Sequence, residues 1–273
     1  MMAANKIIIH GLFGAKLICF LYLHKKYLRK TSWVMWGADL YKPDAVTLST
    51  KLLSKIQKSV CERFGGIITY IKQDYIYAQK RWGVTGKYYE CLIYPSNIFQ
   101  ESITKDEILR DNNHKTEINI LVGHSASPSN YHIDAFKVIS KVTSPGKAKI
   151  FVPFSYGAEK NKDQIIEKGR SIFGDNFHPL TKFMSLKEYI SLLSEIDIAV
   201  FNHKRQQAMS NTINLIGMGK TVYLRSNVSQ WEFFKDMGLT VFDVQNFDSK
   251  LLTYEQRKKN NTIVKNYFSK ENI

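Results

Sequence analysis

Cysteine is scarce: three in 273 residues (Cys19, Cys61, Cys91), widely spaced and with no CxxC pair. That excludes a disulfide-stapled scaffold and argues against a thiolate zinc site, so the three read as small buried hydrophobes of a reducing cytosol. Acidic residues are in deficit, 24 Asp and Glu against 39 Lys and Arg, which leaves a net charge of +15. The excess calls for a polyanionic partner: nucleic acid, an anionic membrane surface or a phosphorylated substrate. Long apolar runs are missing too. The most apolar stretch, IIIHGLFGAKLICFLYL at 7–23, is interrupted by His10, Gly11, Gly14 and Lys16. Its unbroken part, Leu17–Leu23, falls far short of the ~20 residues a membrane span needs. The basic cluster Lys25, Lys26, Arg29 and Lys30 follows that stretch instead of preceding it, and no small-residue cleavage site comes after. The stretch therefore does not read as a signal peptide. GxSxG, HExxH, EF-hand, Asp-x-Asp, GxGxxG and Walker patterns are all absent, and seven His are scattered without ligand spacing. No metal–diphosphate, P-loop or conventional dinucleotide site is expected.

Hydrophobic residues make up 44% and aromatics 13%, enough for a packed core. Short apolar runs alternate with helical stretches. Ile7–Ile9, Trp33–Trp36, Gly66–Ile71 and Cys91–Tyr94 read as strands of a first part, with a helix from about Ala15. In Thr47–Arg63, Leu48, Leu52, Ile56 and Val60 recur every four residues on one helical face, and Gly65-Gly66 ends that helix. The polar stretch 101–116 holds the best linker candidate, Asp111-Asn112-Asn113. Beyond it, strands at Ile118–Val122, Lys149–Val152, Ile196–Phe201, Thr221–Leu224 and Leu239–Phe242 alternate with helices at Tyr131–Val142, Lys160–Phe173, Leu186–Ser194, Ala208–Met218 and Gln230–Met237. Such alternation means βαβ units and parallel sheets, an α/β fold. The expected domains are 1–113, 114–250 and a helical tail at 251–273. Parallel α/β sheets bind ligands at the carboxyl ends of their strands, so strand-to-helix turns are where function is sought.

Five such turns carry candidate chemistry. In LVGHSASPSN (121–130) a buried strand runs into Gly123, Ser125, Ser127, Ser129 and Asn130, then a helix. Close backbone approach, hydroxyls and helix N–H groups suit a phosphate. A plain N-cap would need only one of these residues. In FNHKRQQAMSN (201–211), Arg205 can grip a phosphate bidentately, and Gln206, Gln207 and Asn211 suit a base or sugar; a solvated helix start is the plainer alternative. In WVMWGADLY (33–41), Asp39 is a general base, a sugar-hydroxyl acceptor or an N-cap. His10, before Gly11, suits proton transfer near neutral pH, although a lone His beside an apolar run is more often structural. In PFSYG (153–157), Tyr156 can stack on a base, or Pro153 and Gly157 simply make a turn.

The blocks HGLF (10–13), WGADLY (36–41), ILVGHSASPSNYHI (120–133), VPFSYG (152–157) and FNHKRQQAMSNTINLIGMGK (201–220) together resemble the 4-acetamido-4,6-dideoxygalactosyltransferase family. The likeness runs in order from residue 10 to about 242. It implies a GT-B glycosyltransferase with two Rossmann-like domains facing across a cleft. It also implies inverting, metal-independent transfer without a cofactor. The implied donor is a dTDP-linked N-acetylfucosamine-like sugar. The implied acceptor is a polyprenyl-diphosphate-linked saccharide of enterobacterial common antigen or an O-antigen-like surface polysaccharide. The implied place is peripheral, on the cytoplasmic face of the bacterial inner membrane. By this likeness Gly123, Ser125, Ser127, Asn130, Arg205, Gln206 and Gln207 face the donor, joined by Tyr156 and Asn211 from the turns above. His10 and Asp39 sit on the acceptor side. Lys25, Lys26, Arg29 and Lys30, with Tyr22 and Tyr27 nearby, are the expected contact with anionic lipid. Relatives carry some tens of residues before the HGLF-like block, so a truncated N-terminal domain is expected. Two other readings stay open: a basic nucleic-acid-binding α/β protein, and a truncated, inactive glycosyltransferase remnant.

Overall fold

The computed structural model describes residues 4–42, 46–92, 94–99, 117–144, 146–155, 157 and 159–272. The chain divides into two compact units, Met1–Ile93 and Tyr94–Ile273. That division precedes the one expected at residue 113, which itself lies outside the described residues, as does the Asp111–Asn113 linker. Phe99 shows why the second unit starts early: its N–H donates to Phe268 O at 3.0 Å and its ring lies over Gly217. The expected C-terminal tail packs into this same unit.

The first unit is a four-stranded parallel sheet in the order β1-β2-β3-β4, namely β1 (Ile7–His10), β2 (Thr31–Val34), β3 (Gly66–Thr69) and β4 (Lys87–Glu90). Helices α1 (Ala15–Leu23), α2 (Leu48–Cys61) and α3 (Lys72–Trp82) connect them. Thr47 and Thr50 close a reciprocal capping box at the start of α2, satisfying two end groups that the helix cannot satisfy itself. Trp33, Phe64, Ile67, Val60, Ile18, Leu21 and Trp82 form the core. The last strand is KYYE, not the more apolar Cys91–Tyr94, because an edge strand with one neighbour stays largely exposed and its burial leaves no apolar signature. Of the three cysteines only Cys61 is buried; Cys19 is on the outer side of α1 and Cys91 follows the edge strand, so both are exposed.

The second unit is a six-stranded parallel sheet in the order β10-β9-β8-β5-β6-β7. Its strands are β5 (Ile118–Val122), β6 (Ala148–Pro153), β7 (Phe177–Leu180), β8 (Ile198–Phe201), β9 (Thr221–Leu224) and β10 (Phe242–Asp243). Between them run α4 (His132–Val142), α5 (Glu159–Phe173), α6 (Leu186–Glu195), α7 (Met209–Gly217) and α8 (Ser229–Asp236); α9 (Tyr254–Tyr267) ends the chain. Strands β8 and β9 are buried at every residue, as expected where helices cover both faces of a parallel sheet. Strand β7 is FHPL; Pro179 hid it in the sequence, and it is tolerated because β7 is a sheet edge. Phe136 anchors the core edge-to-face against Phe173 and Phe177, each at 5.6 Å, and its truncation to Ala would cost about 3–5 kcal/mol. The strand order reverses between β5 and β8, so their carboxyl-end loops open side by side, the usual place for a ligand in a doubly wound sheet.

Candidate functional site

The loop after β5 leaves the sheet at Gly123 with φ of 69°, and a Cβ there would stand 2.7 Å from His132 Nε2 and 2.9 Å from Asn130 Oδ1. Only glycine fits both the left-handed backbone and the space. Asn130, buried, holds the whole turn. Its Nδ2 donates to the carbonyls of Ser125 at 3.1 Å and Ser127 at 3.0 Å. Its Oδ1 accepts from the His124 N–H at 3.0 Å and from His124 Nδ1 and His203 Nε2, both at 2.9 Å. Asn130 therefore shapes the site. Ser125 is buried beneath it with its Oγ 3.2 Å from Asn130 Nδ2. The hydroxyls of Ser127 and Ser129 lie 2.9 Å apart at the turn's partly exposed rim. Gly157, from the loop after β6, comes so close that a Cβ would meet the backbone nitrogens of Ala126 and Ser127 at 2.9 Å.

The loop after β8 completes the cluster. Ser129 Oγ donates to Gln207 Oε1 at 3.0 Å, while Gln207 Nε2 is buried without an acceptor. Asn202 Nδ2 donates to Tyr131 O at 3.4 Å, and Arg225 Nη1 donates to Asn202 Oδ1 at 3.0 Å. Arg205 and Gln206 are partly buried beside this cluster, and Lys204 stacks over the Tyr131 ring at 4.1 Å. Helices α4 and α7 both begin here on left-handed residues, Tyr131 and Ala208, and neither has a side-chain cap. Their first N–H groups and their dipoles suit an anion. A cavity of about 290 Å³ adjoins the turn, lined by His124, Ser155, Lys182, Tyr189 and Asn211 with apolar Leu180, Phe183, Met184 and Leu186. Asn211 Nδ2 donates to Tyr189 OH at 2.8 Å inside it.

Three histidines meet at this loop pair; the sequence marks His203 only as one of the polar residues of the 201–211 turn and assigns no role to His124 or His132. Burial pushes His124 down to about 4, with the Arg205 charge adding to the effect and its bond to Asn130 opposing it. Burial, then His124, pushes His132 down to about 3. Burial, with His124, His132 and Arg205, holds His203 well below the ordinary imidazole value. All three are neutral at pH 7. His132 is buried with neither ring nitrogen hydrogen-bonded, and His203 Nδ1 is likewise without a partner. The signal for two of them was present, one residue past Gly123 in GHS and one past Asn202 in NHK; contact across 79 positions was not readable. Among the described residues no group of three or more His, Cys, Asp or Glu has metal-site geometry.

In the first unit His10 ends β1, exposed, with its ring edge-on to Trp36 at 6.4 Å. Asp39 is wholly buried. Its Oδ2 accepts from Leu12 N at 2.9 Å and Trp33 Nε1 at 2.7 Å, and its Oδ1 from Trp36 N at 2.9 Å. The carboxylate thus ties the segment that follows His10 to β2 and to the loop after it that carries Trp36. Lys25 lies over the Tyr22 ring at 3.5 Å, and Lys26 and Lys30 flank Tyr27 at 5.2 Å each, on a 3₁₀ turn that also carries exposed Arg29. Tyr156 lies outside the described residues.

A family profile described as 4-alpha-L-fucosyltransferase glycosyl transferase group 56 matches residues 2–268. This agrees with the fucosamine-transferase likeness of the sequence blocks. Among solved structures, a trehalose-6-phosphate synthase, OtsA, superposes with a TM-score of 0.66 at 10% identity, covering 96% of this chain and 68% of its own. An E. coli trehalose-6-phosphate protein bound with UDP-2-fluoro glucose gives 0.64 at 11%, covering 98% and 70%. The α,α-trehalose-6-phosphate synthase of Burkholderia multivorans gives 0.65 at 8%, covering 98% and 68%. At these identities the likeness speaks for the fold, which is GT-B.

Proposed function

The chain belongs to the 4-alpha-L-fucosyltransferase group 56 family and is a GT-B glycosyltransferase, and from that premise we propose that it moves an N-acetylated amino-dideoxyhexose from a dTDP-sugar to a polyprenyl-diphosphate-linked saccharide. The observation that carries the donor half is the Ser127–Ser129–Gln207 edge. A buried amide donor without an acceptor sits beside two hydroxyls and two uncapped helix N-termini. A buried unsatisfied donor costs about 1–3 kcal/mol, which a phosphate oxygen would recover. Arg205 supplies the charge-assisted contact. The adjoining cavity, with Phe183 at its rim and the Asn211–Tyr189 pair inside, suits a nucleobase.

In the transfer, the acceptor hydroxyl attacks the anomeric carbon while the bond to the diphosphate oxygen breaks. His10 takes the hydroxyl proton, and dTDP leaves into the hydrogen bonds of the 123–130 turn and Arg205. Asp39 acts as the positioning residue that holds the backbone around His10. The reaction inverts the anomeric centre and uses no divalent cation.

We place the enzyme on the cytoplasmic face of the bacterial inner membrane. None of the helices among the described residues is long and apolar enough to span. Support for surface docking comes from α1 and α2, which pack together and expose Phe20, Leu23, Leu48 and Leu52, the last three at 79%, 86% and 60%, with Phe13 exposed just before α1. Lys16, Lys26, Arg29, Lys51 and Lys55 lie exposed among them. Apolar side chains ringed by cations match an anionic bilayer interface, which also holds a lipid-linked acceptor. Thermal denaturation with and without dTDP tests the donor assignment. A saturable rise in Tm that Arg205→Ala removes supports it, and the absence of any rise refutes it.

A further inference from the structure

The hydrogen bonds of Asn130 assign the protons on the histidines around it. Two backbone carbonyls, of Ser125 and Ser127, receive its Nδ2, so the amide cannot be turned and Oδ1 is the acceptor toward both imidazoles. His124 must then donate from Nδ1, and His203 from Nε2. The two nitrogens lie 3.3 Å apart, each spending its proton on Asn130. What differs between the rings is their remaining basic nitrogen. That of His203 is Nδ1, buried with no partner; protonating it would bury an unpaired cationic N–H. His132 offers two nitrogens in the same predicament. His124 is the member of the three that lines the cavity, with Nε2 as its basic nitrogen.

Resting on the donor-site reading above, we propose that His124 takes up a proton from solvent at Nε2 when a nucleoside diphosphate binds, and as imidazolium holds the diphosphate. Among the described residues those around the ring include the cationic Arg205 and the neutral His203 from the loop after β8, His132 at the start of α4, Lys182 after β7 and Tyr189 on α6. No carboxylate lines the cavity among the described residues. In the empty site burial, with the Arg205 charge adding to it, keeps His124 neutral. A diphosphate brings two negative charges and reverses the balance. The charge then appears only when it is matched, so the empty site avoids burying an unpaired cation. The diphosphate that leaves at the end of the reaction meets a donor already charged.

Calorimetric titration of the full chain with dTDP-glucose, in buffers of differing ionisation enthalpy near neutral pH, tests this. The ligand's diphosphate carries no titrating oxygen in that range, so any proton taken up belongs to the protein. Uptake of about 0.5–1 proton per site is expected, with affinity rising up to tenfold per unit of falling pH. His124→Asn keeps a donor toward Asn130 and should abolish uptake and pH dependence while still binding. His203→Gln keeps the donor at the Nε2 position and should retain both. Binding by the wild type with no proton exchange, or uptake that persists in His124→Asn, overturns the proposal while leaving the donor site standing. No saturable binding of dTDP-glucose or dTDP overturns the donor reading, and this inference with it.

Discussion

Replacing Asp39 with Asn separates a carboxylate that holds the backbone from one that takes a proton. Asp39 is wholly buried and accepts three hydrogen bonds, from Leu12 N, Trp33 Nε1 and Trp36 N. An amide offers one acceptor where the carboxylate has two. In its better orientation the amide oxygen keeps Leu12 and Trp33, and its NH₂ then faces the Trp36 N–H, donor against donor. One charge-assisted bond is lost and a buried donor is orphaned, at a cost of about 2–3 kcal/mol. For a chain of this size that is a fall in Tm of roughly 5–10 °C. The Trp33 indole reports directly, so tryptophan fluorescence during thermal or urea unfolding is the assay. Activity should fall through misplacement of His10, with the shape of the pH–rate profile unchanged. A variant within 0.5 kcal/mol of wild type, or one that is fully stable but has lost the acid limb of that profile, would refute the positioning role.

Other outcomes follow from the same geometry. His10→Asn should leave Tm unchanged and lower kcat about 10²–10⁴-fold, measured by sugar transfer to a lipid-linked acceptor. Arg205→Ala should weaken dTDP binding by about 1.5–3 kcal/mol, some 10–150-fold by calorimetry, without changing the Tm of the unliganded protein. Because burial lowers His124, His132 and His203, the unfolded chain binds more protons as pH drops below about 6.5. Stability is therefore full above that value and is lost by about 1.4 kcal/mol per pH unit for each histidine still neutral, down to about pH 4 for His124 and about 3 for His132. Urea unfolding at pH 7 and pH 5 should show this slope, and His132→Leu should flatten it by one histidine's share. Phe20→Glu with Leu23→Glu should reduce sedimentation with anionic vesicles more than with neutral ones while leaving dTDP binding intact.

Much of the framework was legible because period and punctuation agreed. Ile118–Val122 is an apolar run ended by Gly123, and the strand ends there. The four-residue spacing of Leu48, Leu52, Ile56 and Val60 marks α2, although Leu48 and Leu52 turn out exposed on it while Val60 is buried. The edge strands β4 and β7 were illegible. Strand β7 carries Pro179 and β4 is mostly charged or aromatic, and both succeed only because each has one neighbour in its sheet. At the site, the sequence pattern singled out turns that the second sheet brings side by side, but not the division of labour within them. Asn130 and Asp39 look like ligand contacts in one dimension; in three, Asn130 is engaged by backbone groups and two imidazoles, and Asp39 by two backbone amides and the Trp33 indole. The pairing of His124 with His203 depends on β5 and β8 being neighbours, which the switch in strand order creates and no local pattern announces.

The most direct trial of the account is a structure of the complex with dTDP, prepared in the presence of a chelator. The diphosphate is expected within hydrogen-bonding distance of the 123–130 turn and of Arg205, with the thymine in the cavity beside Asn211 and no cation between. A diphosphate bound elsewhere on the chain, or one that binds only when a divalent ion bridges it, would contradict the account.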